Sequence, residues 1–115
     1  MLEDNVKQSI LEYIRKYGSA TYSEIEDVMT AAGYEWAGTL CTCSDQNSNV
    51  IFWEGWNRAA FALVSEMRTS GVISREPCHP LIYLIGGKYL TLPLVKRKTA
   101  YKEEHWLPCL FVLGK

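Results

Sequence analysis

The chain has 115 residues and a formal net charge of −1, and 48% of it is hydrophobic, with four Trp, seven Tyr and three Phe. That length fits one domain, and that apolar content excludes a disordered chain, which lacks the side chains to build a core. No apolar run approaches the roughly 18 residues of a membrane span, and the acidic opening Met1-Leu2-Glu3-Asp4 is unlike a secretory leader, so a cytoplasmic chain with no need of disulfides is expected.

A first helix is expected over residues 5–17. Asn5 is a candidate cap, Val6, Ile10, Tyr13, Ile14 and Tyr17 recur at helical spacing, and Gly18 stands where a helix ends. Ser19-Ala20-Thr21 can pair as a very short strand. A second helix is expected over 22–32. Two overlapping capping boxes, Thr21-x-x-Glu24 and Ser23-x-x-Glu26, leave its start open by two residues, and Ile25, Val28, Met29 and Ala32 form its stripe before Gly33.

Residues 34–56 read as a small hairpin. Thr39–Cys43 and Val50–Trp53 are extended runs, joined by the polar turn Ser44-Asp45-Gln46-Asn47-Ser48-Asn49. A third helix follows over 57–70, capped by Asn57 and closed by Gly71. Ala60, Leu63, Val64 and Met67 form its buried stripe, and its apolar character implies that most of its surface is packed. Beyond Gly71 the pattern turns extended. Val72–Arg75 is a strand candidate. Leu81–Ile85 is another, with Gly86-Gly87 as a hairpin turn and Lys88–Leu92 as the return, and Cys109–Leu113 is a last strand.

Charge is divided along the chain. The first 57 residues carry nine acids against three bases, and the remaining 58 carry nine bases against four acids. A dipolar chain of this kind can present a basic face despite its neutral total. Lys96-Arg97-Lys98 is the densest basic run and a candidate phosphate contact.

Motifs for chemistry are sparse. There is no Walker loop and no nucleophile elbow, and Gly86-Gly87 alone signals a turn. Cys41 and Cys43 alternate along one run, but no second pair stands at a zinc-site spacing, so no metal and no cofactor are expected and an enzyme is not. Trp36, Trp53 and Trp56 cluster around the hairpin. Such aromatics fill the gap between hairpin and helices, stack on single-stranded bases or anchor a protein interface.

The order helix, short strand, helix, helix, strand, strand resembles a winged helix-turn-helix. The resemblance rests on the helices at 5–17 and 21–32, the helix at 57–70, and Gly71-Val72-Ile73 leading into extended residues. It implies an α+β, winged-helix-like domain over 1–115, with three helices followed by a small antiparallel sheet and an inserted hairpin at about 34–56. It also implies that the third helix enters the major groove of double-stranded DNA while the wing touches the backbone. Carried onto this chain, Asn57, Arg58, Ser65 and Arg68 are candidates on the reading helix, and Arg75, His79 and Lys88 are candidates near the wing. The insertion departs from that family, whose last two helices are joined by a few residues, and it can cover the reading helix. A fainter resemblance, carried by Trp53-Glu54-Gly55-Trp56-Asn57 and His105-Trp106-Leu107-Pro108, is to small uncharacterised proteins of bacteriophages and staphylococcal pathogenicity islands. The expected function is nucleic-acid binding in a regulatory or mobile-element setting, without a membrane. The alternative is a protein-interaction module that modifies a host or phage complex through Trp36, Trp53 and Trp56.

Overall fold

The computed structural model describes residues 2–97 and 99–114. The fold is mixed α+β, with four helices and two small sheets in the described residues. Helix α1 spans Leu2–Tyr17, strand β1 Ala20–Thr21 and helix α2 Tyr22–Ala31. Strands β2 (Ala37–Cys43) and β3 (Val50–Trp56) form the inserted hairpin. Helix α3 spans Arg58–Thr69 and strand β4 Ile73–Pro77. A short helix α4 (Leu81–Gly86) and strands β5 (His105–Trp106) and β6 (Cys109–Leu113) complete the chain.

The three long helices form where stripe, cap and closing glycine coincide. Helix α1 begins ahead of the expected Asn5 cap, with Glu3 and Asp4 in its first turn, where acids favour the helix dipole. It buries Val6, Ile10 and Ile14, while Tyr17 is 60% exposed. The start of α2 is settled in favour of the first capping box. Thr21 Oγ1 accepts from the Glu24 N–H at 3.0 Å, and Glu24 Oε1 accepts from the Thr21 N–H at 2.9 Å. Thr21 is already extended because β1 pairs with β6, which is the conformation an N-cap requires. Asn57 caps α3, accepting from the Ala60 N–H at 2.8 Å. The expected stripe Ala60, Leu63, Val64 and Met67 is buried, but the rest of α3 is more open than expected: Arg58, Ala59, Ala62, Ser65, Glu66, Arg68 and Thr69 are exposed.

One sheet has the order β1–β6–β4, all antiparallel, with the last strand in the middle. The other has the order β2–β3–β5, in which β5 runs parallel to β3. The inserted hairpin is therefore one part of a second sheet that also recruits residues from near the C-terminus, which the expected single sheet did not include. Close packing fixes this hairpin against α3. A Cβ added at Gly38 would lie 2.6 Å from the Asn57 Cα, so no larger residue fits there without backbone movement.

The expected strand Leu81–Ile85 and its Gly86-Gly87 hairpin are overturned: this segment is α4, and Lys88–Leu92 form no strand. A short uninterrupted apolar run carries no period that separates strand from helix. Tertiary bonds decide the outcome. His79 Nδ1 accepts from the Leu81 N–H at 3.1 Å, Tyr83 is buried, and Gly87 closes the helix at φ 81°. The Tyr83 hydroxyl donates to the Cys109 carbonyl at 2.5 Å and accepts from the Tyr22 N–H at 3.1 Å, which locks α4 to β6 and to the start of α2.

Buried residues from α1, α2, α3, α4 and both sheets make one hydrophobic cluster centred on Trp53, Trp56, Trp106, Tyr22 and Phe111. Ile14 and Leu63 sit inside it, 1% and 2% exposed. Ile14→Ala and Leu63→Ala are each expected to lower stability by roughly 2–4 kcal/mol, as buried large-to-small changes do, measured by urea denaturation.

Candidate functional site

At the centre of the molecule is a buried carboxylate that carries a dense set of polar contacts. Glu26 on α2 is 3% exposed. Its Oε2 accepts from the Trp53 indole N–H at 2.9 Å and from the Trp56 indole N–H at 2.8 Å. Its Oε1 is paired with the Lys88 ammonium, which also lies 4.6 Å from the centre of the Trp36 ring. The Trp36 indole in turn donates to Thr30 Oγ1 at 2.9 Å. No buried side-chain polar atom among the described residues lacks a partner. A charge taken out of water at this depth is tolerable only with such complete pairing.

This network corrects several expectations about contact residues. Trp53 and Trp56 are 1% and 0% exposed, so they are core side chains and not surface anchors; Trp36 is half-buried. Lys88 is bound to Glu26 and does not stand free at the edge of a wing. Asn57 is a helix cap whose Nδ2 also donates to the Glu35 carbonyl at 2.9 Å. Arg75 sits over the Phe52 ring, its guanidinium carbon 3.7 Å from the ring centre, and reaches the Tyr22 hydroxyl at 3.5 Å. The sequence does hold a sign of Glu26's role. It stands between Tyr22 and Met29 at helical spacing, on the buried side of α2.

The other expected residues are on the surface. Arg58, Ser65 and Arg68 are exposed on α3, and His79 is exposed ahead of α4. Ser65 and Arg68 border a crevice of about 30 Å³ that Thr42 of β2 also lines, so the inserted hairpin reaches that part of α3 while both side chains stay exposed. Lys96 and Arg97 are exposed, and Lys98 lies outside the described residues. Among the described residues, the ion pairs are Lys7–Glu66 and Lys88–Glu26, which leaves Arg58, Arg68, Lys96 and Arg97 unpaired.

Lys96 and Arg97 border a groove of about 820 Å³ between the hairpin turn and the loop before β5. Ser44, Gln46, Asn47, Ser48 and Val50 line it from the hairpin, and Val95, Lys96, Arg97, Thr99, Ala100 and Tyr101 line it from the loop, with Leu107 beside them. A second hollow of about 540 Å³, lined by Leu92, Leu94 and His105, shares Lys96, Arg97 and Tyr101 with it. The Tyr101 hydroxyl holds the basic loop in shape. It accepts from the Lys96 and Arg97 N–H groups at 3.0 and 3.2 Å and donates to the Arg97 carbonyl at 3.0 Å. The Arg97 and Lys96 N–H groups donating to its oxygen hold its pKa below the 10.0 usual for a phenol. The Tyr101 and His105 rings lie against each other, 4.0 Å between centres. Asn49 Nδ2 donates to the Tyr101 carbonyl at 2.8 Å and ties the two walls together. The arrangement is an open groove with an apolar floor, carrying cations, amides and hydroxyls that can fix the orientation of a ligand with negatively charged groups.

The cysteines are free thiols, and no three His, Cys, Asp or Glu among the described residues gather to hold a metal ion. Burial pushes Cys78 up to about 11 and Cys109 up to about 12, so both are protonated at neutral pH.

Two predictions follow from these environments. Glu26→Ala is expected to cost about 3–5 kcal/mol, since it leaves two buried indole N–H groups and an ammonium without their acceptor. Lys88→Met is expected to cost a comparable amount, about 3–5 kcal/mol, because it leaves the Glu26 carboxylate, 4% exposed, without its counter-charge. Chemical denaturation of both variants measures these losses. Alkaline pH is expected to weaken the fold. Burial raises Cys78 and Cys109 above the ordinary 9.0 of a thiol, so the unfolded chain releases these protons first. Their contribution is complete below about pH 9 and is lost as pH rises toward 12, readable as a falling Tm.

Comparison with protein-family models, with curated proteins and with solved structures finds no match to this chain.

Proposed function

We propose that the chain is a winged-helix-like domain that binds nucleic acid and catalyses no reaction. The observation that carries this reading is the placement of exposed cations on α3 and at the groove: Arg58, Arg68, Lys96 and Arg97 make no ion pair among the described residues, as Arg15, Lys16 and Lys102 elsewhere also do not. Unpaired arginines and lysines on a helix and a neighbouring loop are what phosphate contact requires. Support for the winged-helix layout comes from α1, β1, α2, α3, β4 and β6, which follow one another with β2–β3 inserted before α3 and α4–β5 before β6, and from the place of β6 between β1 and β4 in one sheet. The small exposed residues Ala59 and Ala62 beside Arg58 let a partner approach the α3 backbone closely.

A second reading has its own observation. Helix α4 points only Tyr83 inward and leaves Leu81, Ile82, Leu84 and Ile85 between 44% and 79% exposed. Contiguous exposed aliphatic surface is a mark of protein contact. On this reading the contact surface is α4, since Trp53 and Trp56 are core residues.

Fluorescence anisotropy with a labelled random duplex at two salt concentrations tests the first reading. Replacing Lys96 and Arg97 with alanine is expected to weaken binding to every sequence and to flatten the salt dependence by up to about 1.8 log units per log unit of salt, if both touch phosphates. Arg58→Ala is expected to cost about 1–3 kcal/mol at a selected site and to relax sequence preference. Absence of binding at low salt and micromolar protein overturns the reading. A nuclease-resistant complex that is lost on Ile85→Glu favours the second.

A further inference from the structure

We infer that the groove between the hairpin turn and the 95–101 loop is a site for single-stranded nucleic acid, a conclusion that rests on the nucleic-acid reading above and narrows it. The groove is concave, about 820 Å³, and its two walls rise from separate parts of the chain that Asn49 ties together. Duplex reading by a domain of this size relies on a projecting helix or ribbon that enters a groove of the DNA. Here the concavity belongs to the protein, so the element that enters must be the ligand, and a single strand is narrow enough to do so.

The chemistry of the walls fits that ligand. Proteins that hold single strands combine a cationic track for the backbone with aromatic faces on which bases stack. Lys96 and Arg97 supply the cations and are exposed. The Tyr101 ring lines both hollows, and the His105 ring packed against it lines the smaller, adjoining one, next to those cations. The opposite wall, with Gln46 and Asn47, offers amide groups that can both donate to and accept from the edges of an unpaired base. The hydroxyl of Tyr101 fixes the loop through three backbone bonds, so the cations are presented from a shaped loop and less ordering is needed when the ligand arrives.

The test is an anisotropy titration of the full chain against a fluorescein-labelled oligothymidylate and against a mixed-sequence duplex of the same length. The oligothymidylate is expected to bind more tightly than the duplex. Lys96→Glu together with Arg97→Glu is expected to weaken it about tenfold or more and to reduce the salt slope by about 1.4, two phosphates' worth for a single strand. His105→Ala, which leaves both cations in place, is expected to weaken it about fivefold or more through lost stacking. Arg15→Glu together with Lys16→Glu makes the same charge change on α1, away from the groove, and is expected to weaken binding far less. Thermal melts establish that each variant is folded, including the His105 change in the half-buried strand β5. Preference for the duplex overturns the inference and leaves the broader nucleic-acid reading standing. So does single-strand binding that is indifferent to the groove variants, or equally sensitive to the α1 pair. Binding of neither probe at low salt overturns both.

Discussion

The Glu26 carboxylate is the point at which otherwise separate parts of the fold meet. It leaves α2, receives the indole N–H groups of Trp53 and Trp56 from β3, and takes the ammonium of Lys88 from the segment after α4. Lys88 also closes over Trp36, in the link between α2 and β2. A carboxylate in an apolar interior is costly unless its oxygens are filled, and an indole N–H in the same interior needs an acceptor. Each group here answers the requirement of another. The inserted hairpin is thereby part of the core, with three tryptophans turned into or against it, and not an ornament attached between two helices.

That arrangement divides the cations of the second half into two populations. Lys88 and Arg75 are spent on the interior: one neutralises Glu26, and the other lies on Phe52 beside the Tyr22 hydroxyl. Arg58, Arg68, Lys96 and Arg97 stay on the surface. The basic character visible along the sequence therefore reaches solvent only in part. What remains is concentrated on α3 and at the groove beneath the hairpin turn, and the functional reading rests on those positions.

Helix α4 illustrates how a single anchor can expose its neighbours. Tyr83 inserts into the core and bonds to both Cys109 and Tyr22, so the six-residue helix is held by one side chain. With so short a helix, the flanking aliphatics have no second face to bury. Leu81, Ile82, Leu84 and Ile85 consequently surround Tyr83 on the surface, whatever partner this surface serves.

The sequence alone determined the elements whose signals are local. Each of the three long helices has its stripe, its first-turn or cap residues and its closing glycine within about a dozen residues, and the inserted hairpin announces itself by two extended runs around a polar turn. The mixed α+β character follows from these. Tertiary structure decided the rest, because the deciding partners are distant in the chain. The run Leu81–Ile85 reads as a strand and becomes a helix, since Tyr83 answers to Tyr22 and Cys109 rather than to its neighbours. Glu26 reads as one of two capping acids and becomes a buried hub, because its partners stand 27, 30 and 62 residues away. Of the two readings open for Trp53 and Trp56, the core one is realised, and Lys88 is drawn onto a buried carboxylate, for the same reason: periodicity and capping act over a few residues, whereas the choice of who fills a buried oxygen is made only when the chain has closed on itself.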